Sequence, residues 1–126
     1  MGYMIIGIGT DIIEVERVKK ACENQAFLKR IYTKNELELI EKDRAKCVTN
    51  FAVKEAVSKM LGTGFRNILP NEIEVLREET GKPYVILYGG AKERQEELQI
   101  DEILVSISDT KDFAVAYVIG QNYKNN

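Results

Sequence analysis

Apolar residues alternate from position 3 to position 10, with Met4, Ile6 and Ile8 on one face and Ile5, Gly7 and Gly9 on the other. This predicts a first strand that ends as the chain turns at Asp11. Two glycines on one strand face mean that a helix or a ligand approaches that backbone closely. A helical period follows from Ile12 to Ala21, and residues 22–32, carrying Phe27, Leu28 and Ile31, read as a short helix. Thr33-Lys34-Asn35-Glu36 is a capping-box signature for the next helix, with Leu37 and Ile40 on its apolar side. Asp43 is placed to cap a longer helix from about Arg44 to Leu61, which stops at Gly62-Thr63-Gly64. Strands are predicted at Ile73–Leu76 and, just after Pro83, at Tyr84–Tyr88. A charged helix over Ala91–Leu98 follows, then a hairpin of Ile103–Ser108 with Phe113–Ile119. The polar tail 121–126 is expected to fray. The order β-α-α-α-β-β-α-β-β has too few alternations for a doubly wound sheet and predicts an α+β fold, a largely antiparallel sheet packed with helices.

The long helix carries the candidate chemistry. Ala52, Val53, Ala56, Val57, Met60 and Leu61 share one arc, leaving Lys54, Glu55, Ser58 and Lys59 on the polar half. Glu55 and Lys59 are i,i+4 neighbours, and the plainest reading is a solvated pair worth about 0.2–0.5 kcal/mol. Two details favour a site instead. The pair lies at the polar–apolar boundary, and Phe51 falls on the polar half, so part of that half is expected to be covered. With Asp11 leaving a glycine-rich strand, Asp11 and Glu55 would suit Mg²⁺, which takes one or two carboxylates plus waters and phosphate oxygens. Lys59 would meet the same phosphates as a point charge. Gly62-Thr63-Gly64 is first a helix stop, and its backbone amides could also approach a phosphate. Gly7-x-Gly9 lacks the third glycine of a dinucleotide fingerprint.

Composition narrows the classes. The 126 residues, 44% hydrophobic and 30% charged, fit one soluble domain spanning residues 1–126. A net charge of −2 argues against a general nucleic-acid binder. No run reaches the roughly 20 apolar residues of a membrane span, and the apolar start lacks a basic region and meets Asp11 too early for a signal peptide. Cys22 and Cys47 are too few for a zinc site or a disulfide framework, so free thiols in a cytoplasmic protein are expected. There is no histidine, so proton transfer falls to carboxylates, lysines, tyrosines or water.

The blocks GIGTDIIEVERV (7–18), FAVKEAVSKMLGTG (51–64), TGKP (80–83) and VSISDTKDFAVAYV (105–118) together resemble the holo-[acyl-carrier-protein] synthases, a family of 4′-phosphopantetheinyl transferases. The resemblance spans nearly the whole chain and implies that family's fold. It also implies transfer of 4′-phosphopantetheine from coenzyme A to a serine of apo acyl carrier protein, with adenosine 3′,5′-bisphosphate released. Carried over by position, Asp11 and Glu55 match the Mg²⁺ ligands and Lys59 matches the phosphate-contacting lysine. Ser58 and Lys59, the turn Gly62, Thr63 and Gly64, and Pro83 fall beside the cofactor. Glu55 or a metal-held water is the candidate acceptor of the serine proton. Family members of this size are usually homotrimers with active sites between subunits. Their carrier protein is acidic, which makes Arg17, Lys19, Lys20, Lys29 and Arg30 candidates for its docking surface, Arg17 and Lys20 foremost.

Two positions depart from the family pattern. Asp109 stands where a histidine is usual and Asn50 where an arginine is common, both positions associated with the negatively charged end of coenzyme A. These departures motivate the alternative of a catalytically silent homologue that binds coenzyme A or carrier protein as a scaffold. A domain whose motifs only pack is the blandest alternative, and it leaves the placement of Glu55 and Lys59 unexplained.

Overall fold

A computed structural model describes residues 2–124. Strand β1 (Gly2–Glu14) leads into helices α1 (Val15–Ala21), α2 (Gln25–Ile31), α3 (Lys34–Lys42) and α4 (Ala45–Met60). A 3₁₀ turn (Pro70–Glu72) precedes β2 (Ile73–Arg77) and β3 (Pro83–Leu87), and α5 (Gly89–Glu97) precedes β4 (Glu102–Asp109) and β5 (Phe113–Lys124). Three strands form one sheet in the order β1-β5-β4, and β2 pairs with β3 in a second; all these pairings are antiparallel. The α+β architecture expected from the element order is therefore present. Among the described residues no helix is long and apolar enough to cross a membrane.

β1 is longer than expected. It runs through Asp11, Ile12 and Ile13 to Glu14, because β5 pairs with it as far as Phe113. Asp11 thus lies within a ladder, opposite Ala116, rather than at a strand's end. A bulge between Ile5 and Gly7 leaves Ile6 without a partner. The tail behaves likewise: Gln121–Lys124 continue β5 against Gly2–Ile5 rather than fray, and residues 125 and 126 lie outside the described residues.

α3 begins as expected. The Thr33 hydroxyl accepts from the Glu36 amide, and the Glu36 carboxylate accepts from the Thr33 amide at 3.1 Å. Asp43 caps α4 one residue early, its carboxylate accepting from the Ala45 amide at 3.1 Å.

α4 packs across the first sheet with Ala52, Val53, Ala56, Val57 and Met60 in the core. Lys54 and Ser58, expected on the polar half, are also buried. The Lys54 ammonium donates to Glu36 Oε1 at 2.6 Å, to the Pro70 carbonyl at 3.0 Å and to the Ile73 carbonyl. Asn50 joins this network, donating to Glu36 Oε2 and the Val75 carbonyl, both at 2.9 Å. A helical period assigns charge to solvent by default. Here a buried carboxylate from α3 and the carbonyls of Pro70 in the 3₁₀ turn and Ile73 at the start of β2 supply the partners that let an ammonium turn inward.

Candidate active site

The glycines of β1 determine how the site is built. A Cβ on Gly9 would run into the Ala56 carbonyl and one on Gly7 into the Met60 carbonyl. The close approach foreseen at these glycines is therefore α4 itself. Asp11 is the next residue on the same face, and the contact brings it to the exposed edge of α4. Lys59 Nζ donates to Asp11 Oδ1 at 3.0 Å and to the Thr10 carbonyl at 3.0 Å. Its side chain is 53% exposed and that of Asp11 14%.

Glu55, half-buried one turn before Lys59, is held above the usual carboxylate range. Partial burial is the main cause and the Asp11 charge the second, opposed by Lys59 and Arg17. A half-buried carboxyl whose ionisation a neighbouring carboxylate opposes, with an ammonium at the rim, is an arrangement a hard cation would relieve. The donor set fits Mg²⁺, whose remaining positions go to water and substrate oxygens. Among the described residues no cluster of three or more Asp, Glu, His or Cys side chains exists to form an all-protein cage.

The other expected residues divide. Gly62 and Gly64 adopt φ of 79° and 60° and end α4, with Gly62 N donating to the Lys59 carbonyl and Gly64 N to that of Ser58. The Ser58 hydroxyl donates to the Glu55 carbonyl at 2.7 Å within the helix, and the residue is buried. Asn50 points into the interior network and leaves no side chain at the surface for an anion.

Pro83 is not brought to Asp11. It lines a hollow of about 250 Å³ with Lys46, Thr49, Arg77 and Asp109 at the start of α4. Helix α4 is about 24 Å long, so Pro83 and the Gly62–Gly64 turn lie at opposite ends of it within one chain. Asp109 stands between that hollow and a second one lined by Lys19 and Arg44, and it forms no ion pair among the described residues. It is two strand spacings, roughly 10 Å, from the Asp11 strand.

A feature the sequence only hinted at lies beside Glu55. Phe51 tilts against Phe27 of α2 with ring centroids 6.0 Å apart, and with Arg17, Val18 and Ala21 they line a hollow of about 190 Å³. Arg30 lies over the Phe27 ring at 5.7 Å. The hollow explains why Phe51 falls on the polar half of its helix.

The model of the 4′-phosphopantetheinyl transferase superfamily matches residues 7–118. The chain belongs to that superfamily. It is 58% identical to the holo-[acyl-carrier-protein] synthase of Lachnoclostridium phytofermentans over 94% of this chain and 97% of the relative, and it is an enzyme of this type. Its fold is similar to that of holo-ACP-synthase from Plasmodium yoelii, with a TM-score of 0.85 and 37% identity over 98% of this chain and 100% of that one. It is also similar to the Bacillus anthracis synthase solved in complex with CoA (3′,5′-ADP), with a TM-score of 0.79 and 35% identity over 95% of this chain and 99% of that one. The transferase fold implied by the resemblance is therefore present.

Proposed function

We propose that this superfamily member transfers 4′-phosphopantetheine from coenzyme A to a serine hydroxyl of apo acyl carrier protein, in the cytoplasm and with Mg²⁺ held by Asp11 and Glu55. The convergence of Asp11, Glu55 and Lys59 at one edge of the β1–α4 contact carries this reading. The serine oxygen bonds to the phosphorus that carries pantetheine, and the bond from that phosphorus to the bridging oxygen breaks. Adenosine 3′,5′-bisphosphate leaves with the electron pair. Glu55, poised by burial and by Asp11, accepts the serine proton. Lys59 places positive charge against the leaving phosphate. Bound between the carboxylates, Mg²⁺ would offset charge on the pyrophosphate.

The carrier protein docks along α1 and α2. Arg17, Lys19, Lys20, Lys29 and Arg30 are all exposed there, and Arg17 also lines the Phe27–Phe51 hollow. Basic residues around an apolar hollow suit an acidic partner that inserts one apolar side chain. The functional unit is a homotrimer. The sheet face away from α4 is apolar and uncovered, with Ile8 58% and Ile12 64% exposed beside Tyr117 and Leu104. A neighbouring subunit would also account for Pro83 and the Gly62–Gly64 turn lying at opposite ends of one chain's α4.

Protein, coenzyme A, Mg²⁺ and apo carrier protein should give a carrier mass gain equal to phosphopantetheine, abolished by a chelator and by Glu55→Gln. Arg17→Glu should raise KM for the carrier protein at least tenfold and flatten its salt dependence. Binding of coenzyme A or carrier protein without the mass gain would refute the transfer and favour a scaffold.

A further inference from the structure

Lys59 is committed twice to β1. Its ammonium donates to Asp11 Oδ1 and to the Thr10 carbonyl, each at 3.0 Å, and it shares no hydrogen bond with Glu55 among the described residues. Asp11 is largely enclosed, whereas the lysine chain is more than half exposed. The carboxylate is therefore fixed by its strand while its counter-ion is free to leave. Lys59 is the one cation paired with Asp11 among the described residues. The ammonium thus engages the Asp11 oxygen that a metal ion would need, and its charge is directed at Asp11 rather than offered to an anion.

We propose that Lys59 is the resident counter-cation of Asp11 in the metal-free protein, and that a divalent ion at Asp11 and Glu55 displaces it toward the solvent mouth, where it becomes available to an anionic substrate. This rests on the reading of Asp11 and Glu55 as the metal site. The exchange replaces one positive partner of Asp11 by another, so the carboxylate is never left enclosed and unpaired. It also gives an order: metal first, then phosphate, with the lysine coupling the two. A pair this exposed shifts an equilibrium by no more than about fivefold. Metal binding is thus opposed only weakly, and the released ammonium becomes available to the incoming anion.

The test uses the whole protein and the metal alone. In protein with ¹⁵N-labelled lysine side chains, the Lys59 ammonium resonance, assigned by its loss in Lys59→Met, should be protected from water exchange in chelator. It should lose that protection as Mg²⁺ is added. Mn²⁺ affinity, read by electron paramagnetic resonance, should rise two- to fivefold in Lys59→Met. Arg17→Met supplies the control, because Arg17 lowers the cost of ionising Glu55 through space without bonding to Asp11. Its gain in affinity should be the smaller. If Mn²⁺ binds in a manner that depends on Asp11 and Glu55 while the Lys59 resonance is unchanged, the displacement is overturned and the metal site stands. An equal gain in the two variants overturns it also. If Mn²⁺ shows no dependence on Asp11 or Glu55, with or without coenzyme A, the metal site falls and the displacement with it.

Discussion

Lys54→Met should destabilise the protein more than any exposed charge removal, and by an amount that depends on pH. The Lys54 side chain is fully buried and its ammonium donates to Glu36 Oε1, Pro70 O and Ile73 O. Methionine fills much of the same volume but leaves Glu36 as a buried carboxylate without its cation. Breaking a buried pair from one side costs about 3–5 kcal/mol, and the two carbonyls that also lose a donor place the cost toward the upper end. Asn50 Nδ2 and the Thr33 and Val75 amides still donate to Glu36, which keeps it from rising further. Burial already raises Glu36 above the ordinary carboxylate value, with Lys54 the largest opposing influence, so removing the lysine raises it more. A carboxyl raised in the folded state contributes stability that is fully present below its unfolded value, about 4.5, and is lost as pH rises toward the folded value. The destabilisation should therefore be largest at pH 8 and shrink toward pH 5, by up to about 1.4 kcal/mol per pH unit. Urea unfolding of both proteins at pH 5 and pH 8, at one fixed protein concentration, measures this. A loss below about 1 kcal/mol at pH 8, or one equal at both pH values, would refute the assignment of Glu36 and Lys54 as a charged buried pair.

Thr33→Ala should cost somewhat more than the usual 1 kcal/mol of an N-cap, because the same hydroxyl also donates to Glu74 at 2.6 Å; urea unfolding reads it. Ile12→Asp, placing a charge on the uncovered sheet face, should convert the proposed trimer to monomers in sedimentation, and an unchanged sedimentation coefficient would show that this face is not a subunit contact. Gly9→Ala should cost about 3 kcal/mol or more by forcing β1 away from α4, and should also weaken Mn²⁺ binding about tenfold, measured by electron paramagnetic resonance.

Features set by neighbours in sequence were legible. The capping box at Thr33–Glu36, the stop at Gly62–Gly64 and the hairpin turn after Ser108 depend on four or five adjacent residues, and each lies within a residue or two of its expected place. Features set by distant partners were not. β1 was expected to end at Asp11 because a helical period begins after it, but pairing with β5, a hundred residues later, outweighs that local preference. Lys54 was expected on the polar half because Glu36 and the two carbonyls that receive it come from other elements, and the same network takes in Asn50. Asp11, Glu55 and Lys59 were readable as a group because two lie one turn apart and the third follows the glycines that admit their helix. Pro83 could be placed beside them only by resemblance, and within one chain it lies at the far end of α4.

Lys54 and Glu55 are adjacent in sequence and about 100° apart around α4, one wholly inside and the other at the rim. This juxtaposition gives the buried network a bearing on the site. A helix held only by aliphatic packing can rotate by some degrees as its core repacks, because dispersion contacts are many and weakly directional. α4 is held otherwise on both flanks of Glu55. On one side the Lys54 ammonium is tied to a carboxylate and two carbonyls, whose hydrogen bonds are directional. On the other, the backbone at Ala56 and Met60 is seated on Gly9 and Gly7 with no room for a methyl group. Rotation in either sense would stretch the first anchor or drive the helix into the strand. The orientation of Glu55 toward Asp11 therefore follows from its two neighbours rather than from any contact of its own. It also explains why the Gly9→Ala and Lys54→Met variants should part company. The glycine lies between the two elements that carry the proposed metal ligands, so enlarging it separates Asp11 from Glu55. The lysine acts from the opposite flank, where loosening costs stability first and leaves the β1–α4 contact seated.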